Sequence, residues 1–115
     1  MLSPQRLERL RQALLEEKAN LEEEVANLTA TSQESSVGLG NHMADDATAA
    51  FDQATAVSLR RGHQRALEEV LAALERMETG TYGACDRCGE AIDFARLKAV
   101  PEATLCMDCQ TIVEF

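Results

Sequence analysis

The chain has 115 residues and a formal net charge of −9, and only 3% of its residues are aromatic. So few bulky side chains exclude a large globular core, and we expect one small domain stabilised by extended helix pairing or by a metal. The negative charge disfavours contact with phosphate backbones, and no apolar run approaches the roughly 20 residues that cross a bilayer. We therefore expect a cytoplasmic protein that binds another protein, and neither nucleic acid nor a membrane.

The first predicted element is a long amphipathic helix from about residue 4 to residue 28. Ser3 is a good N-cap, and Pro4 suits the first helical position. Leucines then repeat every seven residues and form one apolar seam, at Leu7, Leu14, Leu21 and Leu28. Because Glu17 and Glu24 interrupt this seam, an antiparallel partner helix in the same chain is favoured over a parallel zipper dimer, and we expect a monomer.

Residues 29–43 are rich in Ser, Thr and Gly and predict a loop. A second helix is predicted from about residue 44 to residue 79, with Gly80 as its C-terminal stop. Antiparallel pairing of the two helices around this loop places Leu21 opposite Phe51.

Gly62 lies in the interior of the second predicted helix. Glycine there costs about 1 kcal/mol relative to alanine, so the position needs a reason. Close packing against Leu10 is one candidate reason and a kink is another, and the sequence leaves both open.

All four cysteines lie near the end of the chain, in two Cys-x-x-Cys pairs separated by seventeen residues. This spacing is typical of four-thiolate zinc sites, and it predicts one structural Zn²⁺ bound by Cys85, Cys88, Cys106 and Cys109. Gly89 follows the first pair and permits the positive φ that such a turn often needs. A redox dithiol is disfavoured because it would need a βαβ context, and two disulfides are disfavoured because they suit a secreted chain. Iron in place of zinc, and a zinc site that is sensitive to oxidation, both remain open.

Together these elements predict a mainly α fold. A long antiparallel helical hairpin, a coiled coil, occupies residues 1–80, and a small four-cysteine finger of the zinc-ribbon type with a short C-terminal tail occupies residues 81–115. The second helix carries an apolar face that most of the first helix does not reach, at Leu67, Val70, Leu71, Leu74 and Met77. We expect the finger to cover this face, with help from apolar residues of the tail: Ile112, Val113 and Phe115.

Two carboxylates, Asp45 and Asp46, stand at the start of the second predicted helix. One explanation is that anionic side chains there complement the helix dipole by roughly 0.3–1 kcal/mol. The other is that a long thin hairpin carries them into a cation-containing site on a partner, because carboxylates are suitable ligands for Mg²⁺. The residues themselves do not decide between the two.

A basic cluster lies in the middle of the second helix, at Arg60, Arg61, His63 and Arg65. One interpretation is a solvated face that pairs with Glu16, Glu17 or Glu24 of the first helix. The other is a contact with an acidic surface of a protein partner, made by Arg60 and Arg61.

Three segments near the end of the chain carry a specific pattern: Tyr82-Gly-Ala-Cys85-Asp-Arg-Cys88-Gly89, Arg96-Leu97-Lys-Ala-Val-Pro101 and Leu105-Cys106-Met-Asp-Cys109-Gln110. They resemble the zinc finger of the DksA/TraR family, bacterial transcription factors that bind RNA polymerase directly without binding DNA. The resemblance implies that the helical hairpin enters the secondary channel of the polymerase and that its acidic tip approaches the catalytic magnesium.

By the same resemblance, Asp45-Asp46-Ala47 matches the tip motif Asp-x-Ala of the family. Asp45 would be the tip carboxylate and Ala47 its small neighbour, with Asp46 at the variable position. His42 occupies the position of an additional tip carboxylate. Basic residues that hold the nucleotide ppGpp in the family are replaced, so we expect an effect on the polymerase that ppGpp does not strengthen; the replacements are Glu69, Val100 and Gln110.

We therefore predict a transcription regulator that inserts the hairpin tip into the secondary channel of RNA polymerase and modulates initiation. The alternative is a coiled-coil interaction adaptor whose zinc finger is purely structural. An enzyme is not expected, because both histidines lie outside the cysteine cluster and no nucleophile–base pair is visible. Target promoters, and the choice between activation and inhibition, do not follow from the sequence.

Overall fold

The computed structural model describes residues 2–37 and 43–114, and for residues 30–37 and 43–49 it describes the backbone alone. These ranges contain four helices: α1 (Pro4–Val37), α2 (Met43–Thr79), α3 (Phe94–Ala99) and α4 (Met107–Glu114). The predicted mainly α fold with a four-cysteine site near the C-terminus is confirmed. Within the described ranges, no helix has both the length and the apolar character that a membrane span requires.

Helix α1 begins as predicted but ends later than predicted. The Ser3 hydroxyl accepts a hydrogen bond from the backbone N–H of Arg6 at 3.2 Å, which is the expected N-cap. The helix continues to Val37 instead of ending near residue 28. Ser and Thr lower helix propensity only slightly, and the first glycine of the chain is at position 38, so no strong breaker stands earlier. The remaining residues of the predicted loop, 38–42, lie outside the described residues.

Helix α2 ends at Thr79, as predicted. Gly80 has φ +80°, and the backbone N–H groups of Thr81 and Tyr82 donate to the carbonyl oxygen of Arg76 at 2.9 and 3.2 Å. Both bonds satisfy the open carbonyl group of Arg76 in the last turn, which is why a residue that accepts positive φ stands there.

Gly62 lies within α2, which continues through it without interruption. A Cβ atom built at Gly62 would meet no heavy atom within 4 Å among the described residues. Close packing against Leu10 is therefore not the reason for this glycine.

The described chain divides into two compact units, which differ from the predicted division near residue 80. The first unit combines Met1–Lys18 with Glu69–Phe115, and the second unit is Ala19–Glu68. The ends of both long helices therefore belong to the same unit as the finger.

The core of the first unit explains this grouping. Leu10 of α1 is buried together with finger residues in one cluster, which also contains Cys85, Ile92, Leu97, Ala103 and Cys109. Met77 of α2 packs against the same cluster, so the finger covers the end of the apolar face on α2, as expected. The tail does not help, because Ile112 and Val113 are 57% and 60% exposed, and Phe115 lies outside the described residues.

In the second unit, α1 and α2 pair antiparallel, but in a different register from the predicted one. Glu24 contacts His63, with 3.2 Å between Oε2 and Nδ1. The predicted register placed Leu21 opposite Phe51, and the same spacing would put Glu24 opposite residue 48 instead of His63. It is wrong: the Phe51 side chain is 71% exposed, whereas Leu21 is buried. Because α1 is longer than predicted, the connection between the helices moves and the pairing slides with it.

Candidate zinc site and partner-binding surfaces

The four predicted ligand sulfurs lie together. All four Sγ atoms are within 4.8 Å of one another, and those of Cys88 and Cys106 are 3.8 Å apart. A tetrahedral Zn²⁺ with bonds of about 2.3 Å to sulfur needs sulfur–sulfur distances of about 3.8 Å, so the donor set fits this metal. Cys85 and Cys109 are buried, whereas Cys88 lies at the surface.

Each cysteine pair is held by a tight backbone turn. The backbone N–H of Gly89 donates to the carbonyl of Cys85 at 2.9 Å, and Gly89 has φ +78°, as predicted. In the second pair, the N–H of Gln110 donates to the carbonyl of Cys106 at 2.9 Å, and the N–H of Cys109 donates to the Sγ of Cys106 at 3.5 Å. Both turns therefore present two sulfurs in the same direction.

Backbone bonds hold the two turns next to each other. Ala84 and Ala91 form an antiparallel bridge across the first turn. The N–H of Asp86 donates to the carbonyl of Thr104 at 2.8 Å, which attaches the first turn to the residues that precede Cys106. The sulfur positions are thus fixed mainly by the main chain.

The electrostatics of the four thiols favour a bound cation. Backbone N–H groups of Cys106 and Cys88 lower the pKa of Cys85 to about 6. Hydrogen bonding with the Cys106 thiol, followed by burial, raises the pKa of Cys109 to about 12, and charge repulsion from Cys106 adds to this. A divalent cation removes this repulsion, and thiolates are the soft ligands that zinc accepts. Four protein ligands leave no coordination position for substrate, so the zinc site is structural.

Arg96 and Tyr82 also support the finger, a role that the sequence does not predict for either residue. Arg96 on α3 donates from Nε to the carbonyl of Leu105 at 2.9 Å and from Nη2 to Oε1 of Gln110 at 3.4 Å. Tyr82 donates its hydroxyl to the carbonyl of Pro101 at 2.8 Å. Both bonds bridge segments that are distant in sequence, and no spacing rule predicts them.

The predicted tip residues Asp45, Asp46 and Ala47 lie in the first two turns of α2. Their side chains are outside the described residues, as is His42. Their predicted role therefore remains a prediction.

The predicted basic cluster does not form one surface. Buried or half-buried positions of α2 in the second unit recur every three or four residues and define a seam that faces α1, at Ala56, Arg60, His63 and Leu67. His63 of this seam contacts Glu24, and the Nε atom of Arg60 is buried without a hydrogen-bond partner among the described residues. Arg61 and Arg65 are exposed. Pairing with α1 thus describes His63, whereas the interpretation as a partner contact fits the exposed Arg61.

The positions that the resemblance matches to the ppGpp-binding residues of the family lie together in the first unit. Glu69, Val100 and Gln110 line one hollow of ≈ 290 Å³, which Arg76 and Glu102 also line. Arg96 lines it too, but its guanidinium is engaged by the finger.

These features define the class: a helical protein with a structural four-cysteine zinc finger. Residues 80–115 match the family model described as the prokaryotic dksA/traR C4-type zinc finger. General stress protein 16O of Bacillus subtilis is 40% identical over 91 residues, which cover 79% of this chain and 56% of that protein. The RNA polymerase-binding transcription factor DksA of Haemophilus influenzae is 36% identical over 72 residues, or 63% of this chain and 50% of that protein.

A protein of Aquifex aeolicus, described as uncharacterized, is 35% identical over 114 residues, which cover 94% of this chain and 76% of that protein. Among solved structures, transcription factor DksA2 of Pseudomonas aeruginosa matches with a TM-score of 0.89 and 24% identity, covering 97% of this chain and 85% of that one, and this shows the fold. The chain belongs to the DksA/TraR family. It spans about half the length of the first two of these relatives.

Several relatives are named as transcription factors, which agrees with the prediction that the chain is not an enzyme.

Proposed function

We propose that this protein is a transcription regulator that binds RNA polymerase directly and modulates initiation through the start of α2, inserted into the secondary channel. In this proposal Asp45 is the acting carboxylate, Asp46 and Ala47 flank it, and the zinc finger stabilises the opposite ends of the helices. The regulator acts as a cytoplasmic monomer and does not bind nucleic acid directly.

One observation supports the proposal. The chain has the four-cysteine finger of the family, and its relatives include proteins that are named for binding RNA polymerase. Residues 45–47 lie near one end of a long helix, as the proposal requires. Carboxylates at such a location can approach Mg²⁺ or its water shell on a partner.

The test compares Asp45→Ala with Asp52→Ala, which removes an exposed carboxylate from the same helix seven residues later. Each variant is assayed for co-purification with RNA polymerase and for its effect on transcription from purified components. We expect Asp45→Ala to abolish the transcriptional effect and to retain binding, and Asp52→Ala to retain both.

A transcriptional effect that survives in Asp45→Ala would contradict the role of the tip. Binding to a different protein, without any effect on transcription, would instead favour the interaction adaptor with a purely structural finger.

We also propose that ppGpp does not strengthen this effect through the hollow at Glu69. The two carboxylates of the hollow, Glu69 and Glu102, oppose a polyphosphate, and Arg96 is already engaged by the finger. Titrating ppGpp into the transcription assay should leave the effect of the protein unchanged. Clear potentiation by the nucleotide would contradict this, and Arg76→Ala would then test whether the remaining guanidinium is responsible.

A further inference from the structure

A shallow groove lies along the part of α2 that belongs to the second unit. Its volume is ≈ 590 Å³. Small or apolar side chains line one part of it, among them Ala50, Ala54 and Val57, and Arg61 and Arg65 line the other. Both arginines also line a second hollow, of ≈ 390 Å³, together with Gln64 and Glu68.

The groove and the seam that faces α1 lie on different sides of α2. At about 100° per residue, Arg61 and Arg65 share a face with Ala54, and this face lies roughly 150° around the helix from the seam. Exposure agrees with the geometry, because Arg61 and Arg65 are exposed while Ala56 of the seam is buried. The two arginines are therefore not needed for helix pairing.

The positive charges of the second unit are concentrated in one short stretch of α2. Its sequence contains eight Asp and Glu residues, and its three Lys and Arg residues are all arginines, at positions 60, 61 and 65. Arg60 belongs to the seam. No carboxylate of the described residues makes an ion pair within 4 Å with Arg61 or Arg65. The groove is thus the exposed cationic surface of an otherwise acidic unit.

We infer that this groove binds an acidic helical segment of the protein partner, with carboxylates one turn apart that pair with Arg61 and Arg65. Residues four apart on a helix are about 6 Å apart, so two such carboxylates can pair with the two guanidinium groups at once. The small side chains of the groove allow the backbone of a partner helix to approach closely. The inference rests on the proposed function, in which the partner is RNA polymerase.

The negative charge that surrounds the groove favours a protein segment over a nucleic acid as the occupant. A nucleic acid would place a row of phosphates over a unit that carries more than twice as many carboxylates as arginines. A short acidic helix presents its negative charge only where the two arginines lie.

The experiment measures binding of the full chain to purified RNA polymerase at two salt concentrations. The variant Arg61→Glu/Arg65→Glu should bind at least about tenfold more weakly at low salt, and the difference should shrink at high salt. Arg61→Lys/Arg65→Lys, which keeps the charge but loses the planar donor fork, should lie between it and the wild type. The matched control is Arg9→Glu/Arg11→Glu, which changes the charge equally at exposed positions of the first unit and should bind like the wild type.

The possible outcomes separate the two proposals. If the wild type binds polymerase and Arg61→Glu/Arg65→Glu binds equally well, with unchanged helix content by circular dichroism, the groove inference is overturned and the proposed function stands. If the wild type does not bind polymerase at all, both are overturned. Wild-type binding to a short DNA or RNA duplex that Arg61→Glu/Arg65→Glu loses, with polymerase binding unchanged, would assign the groove to nucleic acid and overturn the inference.

Discussion

At the scale of single residues, several polar side chains occupy positions in the helix seams where apolar side chains would be expected. Arg60 and His63 occupy seam positions of α2, and Glu17 occupies a seam position of α1 beside Glu69 and Glu102. A polar group in a helix seam weakens the pairing unless a partner satisfies it. Only His63 has a charged partner among the described contacts of these side chains.

Glu17 should oppose folding at neutral pH. Burial, together with the nearby carboxylates of Glu102 and Glu69, raises its pKa above the ordinary value of 4.5. A raised pKa means that the folded state binds the proton more tightly than the unfolded state. The contribution of this residue to stability therefore falls as the pH rises above 4.5 and through the raised pKa.

We predict that Glu17→Gln raises the melting temperature at pH 7, and that this gain shrinks as the pH falls through the raised pKa toward 4.5 and is nearly absent below it. The matched control is Glu16→Gln, which neutralises the adjacent exposed carboxylate and should give a smaller change. Thermal melts of both variants between about pH 4 and 8 provide the measurement. An equal gain for the two variants would show that only the overall negative charge matters.

Tyr82 provides a second test at this scale, because it is the only tyrosine of the chain and there is no tryptophan. Burial raises its pKa to about 12. Since the folded state favours the neutral phenol, its contribution to stability is present below pH 10 and is lost as the pH rises toward 12. Ultraviolet titration should show ionisation near pH 12 in the zinc-bound protein and near pH 10 after unfolding in urea with a chelator; ionisation near 10 in both states would contradict the burial of the phenol.

At the scale of the helices, the sequence predicted the positions where a strong local signal exists. Ser3-Pro4 begins α1 and Gly80 ends α2, as expected, because caps and stops depend on a few neighbouring residues. The end of α1 and the register of the pairing could not be predicted in this way. Both depend on weak preferences of Ser and Thr summed over a turn or more, and the register decides which side of α2 faces α1.

The orientation of the basic residues could not be predicted from the sequence for the same reason. The cysteines could be assigned from spacing alone, since four ligands close one metal site whatever the surrounding fold. By contrast, the separation of Arg60 from Arg61 becomes visible only when the side of the helix that packs is known.

Gly62 offers a test of the helix itself. Because no described atom lies near a Cβ at this position, Gly62→Ala should stabilise the protein by about 0.5–1 kcal/mol through helix propensity. Urea unfolding followed by circular dichroism measures the change, and Ser58→Ala on the same exposed stretch serves as a comparison with a smaller expected gain. A loss of stability in Gly62→Ala would support the remaining explanation, a kink that needs glycine.

At the scale of the whole molecule, the zinc site stabilises more than the finger. Leu10 and Met77, from the two long helices, are part of the same core as Cys85 and Cys109. Structural zinc contributes directly to the free energy of folding, so its removal should loosen everything that packs against this core.

We predict that chelation of zinc, or the substitution Cys88→Ser, reduces helix content by more than the fourteen residues of α3 and α4. The lost signal should include the ends of α1 and α2 that belong to the first unit. Circular dichroism before and after chelation measures this, with Cys88→Ser compared against Ser58→Ala as a substitution distant in sequence from the metal. A loss limited to α3 and α4 would show that the long helices keep their ends without the metal.

The first unit is assembled from two separate stretches, Met1–Lys18 and Glu69–Phe115, whereas the second is one continuous stretch. During synthesis on the ribosome, Leu10 emerges long before the residues that bury it, because Cys106 and Cys109 lie far downstream in the sequence. Ala19–Glu68 can pair its helices while the rest of the chain is still being translated. The N-terminal leucines therefore remain exposed to chaperones and proteases until the last cysteine has left the exit tunnel, and the supply of zinc at that moment determines how long the exposure lasts.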